Sequence, residues 1–281
     1  MILSVPPAAE TPSSCGQKGC YTMYTVSDVM EVMNRLAPPA LAEAWDNPGL
    51  MLGDPAREVQ KVYVCLDVDG VNTEQAIRLG ADLIISHHPL LFHPMKQIVE
   101  DNATGSIVRR LITSDIAVFS AHTNLDKAEG GMNDWLAEKL GLSSVRQFNE
   151  EEIADDMGIG RIGILDPPME MEDFVSFVKG TLNCPTLRYA GDPNDVLSTV
   201  ALCSGGGGDG IKTAYRADAD VYVTADVRHH EAQLAAELGL NLIDAGHFET
   251  ENIICEFLPP YLEENLPGLT ILVSDVQGYL R

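Results

Sequence analysis

The sequence contains no apolar run approaching the ~20 residues that a membrane-spanning helix needs, so no membrane partner is expected. Positive charge is scarce: 18 Lys plus Arg stand against 42 Asp plus Glu, a formal net charge of −24. A surface that acidic repels a phosphate backbone, which excludes nucleic acid as a partner on charge grounds. It does not exclude a small phosphorylated substrate, because a bound metal can reverse the potential locally. CxxC pairs are absent too. The six cysteines, Cys15, Cys20, Cys65, Cys184, Cys203 and Cys255, are scattered, so a thiolate zinc site and a disulfide framework both fall away. Cys65, Cys203 and Cys255 lie inside apolar runs, the pattern of buried free thiols in a reducing, cytoplasmic setting. A triphosphate-binding loop is missing as well. Ser204-Gly-Gly-Gly-Gly-Asp-Gly210 has glycines but no Gly-Lys-Ser/Thr ending, so it either lets backbone amides approach an anion or makes only a tight turn.

What remains is an ordinary globular composition, 45% apolar and 21% charged over 281 residues, in a chain longer than the ~150 residues of one typical domain. Residues 1–22 carry Pro6-Pro7, Pro12 and Ser13-Ser14 without apolar periodicity. They are expected to form a disordered tail, with Met23 a candidate start. From there Ser27-Asp28 reads as the cap of a helix over 29–36, stopped by Pro38-Pro39. Strands are expected at 62–66, 82–86 and 116–121, alternating with helices at 72–79, 105–112 and 132–140. The second half repeats the rhythm, with strands at 161–165, 187–190, 199–203, 221–224, 242–244 and 269–273. Its helices fall at 171–180, 230–238 and 249–258. Continuous apolar strands separated by helices predict an α/β protein of two lobes with mainly parallel sheets. The acidic stretch Asn149 to Asp156 is the natural boundary, giving lobes at 23–148 and 149–281, with the C-terminal part able to pack back on the first.

Parallel α/β sheets bind ligands beyond the carboxyl ends of their strands, and three expected strands end in metal-ligand residue types. One runs into His87-His88-Pro89, another into His122-Thr-Asn-Leu-Asp126, and a third through Asp244-Ala-Gly into His247-Phe-Glu-Thr-Glu251. Any one of these histidines, taken alone, reads as a hydrogen-bonded structural residue. Together they form a constellation. Adjacent His87 and His88 suit two neighbouring ions better than one, and His247 and Glu251 stand at i and i+4, on one face of a helix. Imidazoles with carboxylates and no thiolates point to zinc, iron or manganese. His122 is placed to donate a hydrogen bond behind the ligands or to act as an acid or base, with direct ligation the less favoured alternative. His93 follows the His88 loop and reads as a surface residue. In Thr224-Ala-Asp-Val-Arg-His-His230, Asp226, His229 and His230 are candidates for the cleft wall, with His230 a second acid–base candidate and helix capping an equally good role for Asp226.

Ser-His-His-Pro-Leu-Leu-Phe (86–92), His-Thr-Asn-Leu-Asp (122–126) and Asp-Ala-Gly-His-Phe-Glu-Thr-Glu (244–251), in that order, resemble the Ngg-interacting-factor-like dinuclear-metal proteins, many of them named GTP cyclohydrolase I type 2 homologs. The resemblance runs from Met23 to nearly the end, with Ala225 standing where the family usually has glycine. It implies metal ligation by His87, His88, Asp126, His247 and Glu251, two divalent ions per subunit, two α/β lobes without the mid-chain insert of some relatives, and a toroidal homohexamer with its metal sites facing inward. Two such ions share and acidify a water, which makes hydrolysis of a small nucleotide-like or phosphorylated substrate the natural reaction. Ring opening of GTP rests on the family name alone. The alternative is a metal-binding or regulatory scaffold without turnover.

Overall fold

The computed structural model describes residues 23–147 and 158–279. The expected tail and the acidic boundary stretch lie outside the described residues. The chain opens with Tyr24–Thr25 (β1) and helix Val26–Leu36 (α1), followed by Gly49–Leu52 (β2), Glu58–Val59 (β3) and Lys61–Cys65 (β4). Gly70–Leu79 (α2), Leu83–Ser86 (β5), Ala103–Thr113 (α3) and Ala117–Ser120 (β6) lead to two further helices, Thr123–Lys127 (α4) and Met132–Lys139 (α5). Next come Ser143–Gln147 (β7), Arg161–Glu170 (β8), Met171–Thr181 (α6), Arg188–Ala190 (β9), Val196–Leu202 (β10) and Ile211–Arg216 (α7). Val221–Thr224 (β11), His229–Leu238 (α8), Asn241–Asp244 (β12), His247–Glu251 (α9), Ile254–Asn265 (α10) and Thr270–Val273 (β13) complete it.

The strands form a five-stranded sheet, β13-β4-β5-β6-β2, a six-stranded sheet, β7-β8-β10-β11-β12-β9, and a small antiparallel pair, β1-β3. In the first, β13, β4, β5 and β6 run parallel and β2 pairs antiparallel to β6. In the second, only the centre is parallel: β10, β11 and β12, flanked by antiparallel β8, β7 and β9. The second sheet takes its six strands, β7 to β12, consecutively along the chain, whereas the first takes β13 back from the C-terminal end.

Alternation along the buried strands assigns each sheet two apolar faces. Val64, Ile85 and Phe119 of the first sheet share one core with Val200, Val223 and Ile243 of the second, and with Met33, Leu136, Phe174 and Leu258 from the helices between them. The outward residues Tyr63, Ile84 and Val118 pack with Ala76 of α2 and Leu111 of α3. Ala201, Tyr222 and Leu242 do the same with Ile211 of α7 and Ala235 of α8. Buried Arg161 ties the second sheet to α4: its guanidinium donates to the carbonyl of Ala128 at 2.7 Å, and its Nε to Asp134 Oδ1 at 2.6 Å. The first helix starts earlier than the sequence predicts. Thr25 caps it in a reciprocal box, its hydroxyl accepting from the Asp28 amide while the Asp28 carboxylate accepts from the Thr25 amide. Among the described residues, no helix is long and apolar enough to cross a membrane.

Candidate metal centre

The carboxyl ends of β4, β5, β6, β11 and β12 meet in one cleft, and every expected ligand arrives there on a strand end or the first turn beyond it. His87 is fully buried, and its Nδ1 lies 2.8 Å from the carbonyl of Ala121. A carbonyl only accepts, so Nδ1 carries a proton and Nε2 is the nitrogen turned toward the site. That Nε2 is 3.5 Å from Asp126 Oδ1 and 3.7 Å from Glu251 Oε1. His88 is held by Asp67 Oδ1 at 2.7 Å from Nδ1 and reaches Glu251 Oε2 with Nε2 at 2.9 Å. His247 is held by Asp226 Oδ2 at 2.7 Å and places Nε2 2.9 Å from Glu251 Oε2 and 3.4 Å from His88 Nε2. His122 joins them, its Nδ1 2.8 Å from Asp46 Oδ1 and its ring centre 5.2 Å from that of His87. Four imidazoles thus have Nδ1 anchored by an oxygen, the support that metal-ligating histidines need.

Two overlapping clusters result: His87, His88 and His122, and His88, His247 and Glu251, each with donor atoms within 4.8 Å of one another. His87 Nε2 and Asp126 Oδ1 are buried without a hydrogen-bond partner, a costly arrangement for polar atoms unless a further group satisfies them. A divalent cation fits that need, and the donors are the nitrogen and oxygen types that such ions take. The electrostatics agree. Burial pulls the His88 imidazole down, but hydrogen bonds to Asp67 and Glu251 outweigh it and raise it to about 10. The hydrogen bond to Glu251 raises His247 to about 9 against the opposing effect of burial. Burial lifts Asp126 to about 7. Burial also acts to raise Glu251, yet neighbouring His87 and the hydrogen bonds from His247 and its partners hold this carboxyl well below the usual range. Protons thus occupy the places that cations would take.

The Gly-rich loop is a tight turn pressed against the site. Gly205 has φ +61°, and a Cβ there would lie 2.1 Å from Glu251 Oε1, so only glycine lets the backbone pass. Its amide donates to Thr250 Oγ1 at 3.0 Å, and those of Ser204 and Gly207 donate to Asn133 and Thr224, so these amides are committed inside the fold. Asp226 adopts φ 53° and turns its carboxylate to His247. It does not cap α8, whose first turn is closed by Arg228 and Glu231 instead. His230 is not brought to the cluster. It sits exposed in the first turn of α8, ring edge-on to His229 at 5.5 Å, and does not line the cavity beside the cluster. His93 is exposed, against Phe92. Asp46 and Asp67 escaped the sequence reading. Asp67 follows β4 as the expected ligands follow their strands, and that rule would have found it, whereas nothing local marks Asp46.

A model of the Duf34/NIF3 (NGG1p interacting factor 3) family matches residues 24–278. The chain belongs to the Duf34/NIF3 family. A family relative from Clostridium perfringens, a GTP cyclohydrolase 1 type 2 homolog, is 36% identical over 226 residues, covering 80% of this chain and 86% of its own. One of the same name from Streptomyces coelicolor is 36% identical over 263 residues, 92% of this chain and 89% of that one. Among solved structures, a Bacillus cereus protein related to NIF3 superposes with a TM-score of 0.83 at 26% identity, over 91% of this chain and 98% of its own. The mixed α/β architecture is therefore that of the Duf34/NIF3 fold.

Proposed function

We propose that the chain is a metal-dependent hydrolase that works with two divalent cations per subunit, zinc, iron or manganese, on a small phosphorylated or nucleotide-like substrate. One observation carries the reading: His87 Nε2 and Asp126 Oδ1 are buried, unpartnered and 3.5 Å apart beside Glu251. His87, Asp126 and Glu251 would hold one ion, and His88, His247 and Glu251 the other. When bound, such a pair supplies Lewis acidity and activates water at neutral pH. The chain's own residues do the rest. His122, oriented by Asp46, presents Nε2 to a cavity of about 420 Å³, placed to hold or deliver a proton to a leaving group. Lys127, in the same wall and bonded to Glu43 at 2.7 Å, offers positive charge to a substrate anion. The name of the relatives adds GTP ring opening to the hydrolyses to be tried.

A screen of metal-loaded protein over phosphoesters, cyclic amides and nucleotides tests this. Turnover that disappears on chelation supports it, whereas tight binding without turnover replaces it with a non-catalytic metal scaffold. The assembly that belongs to this reading is the homohexameric toroid in a cytoplasmic setting, with largely apolar or metal-supported contacts, since a charge of −24 per chain repels itself. Light scattering should give about six subunit masses, and a monomer would remove the toroid.

A further inference from the structure

Trp45 is 60% exposed, yet the segment that carries it is pinned on both sides. The Asp46 carboxylate accepts from the Thr123 hydroxyl at 2.6 Å and the Thr123 amide at 3.1 Å, in addition to holding His122. The Glu43 amide donates to Thr123 Oγ1 at 2.9 Å, and Asn47 Nδ2 donates to the carbonyl of Leu91 at 2.7 Å. These bonds fix residues 43–47 to α4 and to the loop beyond His88. A tryptophan is the side chain with most to gain from burial, as Trp135 shows by stacking on Phe257 inside the core. Trp45 is held out of any core and lines the cavity that also contains His88, His122 and Asp126. Phe92 and His122 support its ring edge-on, with centroids at 6.0 and 6.1 Å. His122 in turn packs 5.7 Å from His88, so Trp45 stands one ring away from the metal ligands. A rigidly positioned, solvent-facing indole beside a reactive centre is built to bind.

We infer that Trp45 is the specificity-determining residue of this site, stacking a planar heteroaromatic ring of the substrate while the bond to be broken lies at the His and carboxylate cluster. The inference rests on the cavity being a substrate site, but the recognition it describes does not require turnover. Tyr222 of the same cavity is buried, whereas the indole of Trp45 is exposed, and stacking on such a face accepts many ring substituents.

The test compares adenosine 5′-monophosphate with ribose 5-phosphate, which share ribose and phosphate and differ in the ring, by calorimetric titration of the metal-loaded full chain. The wild type should bind the ring-bearing ligand at least about fivefold tighter, the lower end of what base stacking contributes. Trp45→Leu should abolish that preference while leaving ribose 5-phosphate affinity and metal content unchanged, and Trp45→Phe should keep part of it. Equal affinities in the wild type, binding of neither ligand, or a preference that survives Trp45→Leu would overturn the inference. So would a Trp45→Leu protein that changes its assembly mass and keeps the preference, since the indole would then be a subunit contact. The two readings fail separately. An inert protein that still prefers the ring sinks the hydrolase alone, and one that hydrolyses both kinds of phosphate with equal KM sinks the role of Trp45 alone.

Discussion

Among the described residues, Glu251 is the carboxylate that reaches His87, His88 and His247 together, so the metal count turns on its charge. Five ligands are too many for a single four-coordinate ion with an open position, and wild-type protein reconstituted with zinc, iron or manganese should bind two ions per chain. Glu251→Gln keeps the shape, removes the charge and should bind fewer, while exposed His93→Ala should match the wild type. Metal analysis of identically purified proteins decides it, and one ion or none in the wild type would sink the dinuclear site. Protonation gives a second handle. In metal-free protein His88 sits at about 10 and His247 at about 9, above the ~6.5 of an unfolded imidazole. A raised folded pKa stabilises the fold below the unfolded value, and that contribution is lost as pH climbs through the folded one. Metal-free protein should therefore lose melting temperature between about pH 6.5 and 10. Asp126, raised to about 7 by burial, acts in the same direction over a lower window. Cations need those same atoms free of protons. The gap in melting temperature between metal-loaded and metal-free protein should accordingly widen from about pH 6 to about pH 9, and a constant gap would show that these imidazoles are not the ligands.

The Ser204–Gly210 loop passes closely against its neighbours at several glycines, and at Gly205 the neighbour is Glu251 of the site. Gly205 and Gly239 both have positive φ, +61° and +73°, but a Cβ at Gly239 meets nothing within 4 Å whereas one at Gly205 strikes Glu251. Alanine at either position costs roughly 1–2 kcal/mol of left-handed backbone strain. Gly205→Ala should in addition displace Glu251 and lower bound metal, while Gly239→Ala should lose a comparable part of its stability with metal content intact. Equal metal content in both variants would separate the loop from the site. Elements of this kind also mark how far the sequence could be read. Strand β11 coincides at both ends with the apolar run Val221 to Thr224, because a strand buried on both faces has to be continuously apolar. Strand β7, Ser-Ser-Val-Arg-Gln, has no such signature; it is a strand because it pairs with β8 at the sheet edge, a contact the local sequence does not encode. The same holds for the antiparallel margins of the second sheet. The expected helix over 249–258 is two helices, α9 and α10, separated at Asn252 and Ile253, which places His247 and Glu251 on a turn of their own. Residues that chemistry demands at strand ends were legible for that reason. Asp46 was not, because it approaches His122 from 76 positions away and carries no mark of its destination.

At the scale of the whole molecule, the inner faces of the two sheets and α1, α5, α6 and α10 form a single apolar core. Heating metal-free protein should therefore give one transition, with calorimetry and the fluorescence of core Trp135 tracing the same curve. Two resolved transitions would show that the sheets melt independently. The return of β13 to pair with β4 also sets an order of events during synthesis. A ribosome delivers His87, His88 and Asp126 first, but the sheet that carries them lacks its outer strand until Thr270–Val273 has emerged, and His247 and Glu251 arrive nearly as late. The cluster of His88, His247 and Glu251 closes only when the chain is nearly complete, so a full two-ion site would be loaded in the finished protein, although His87, His88 and His122 are made long before.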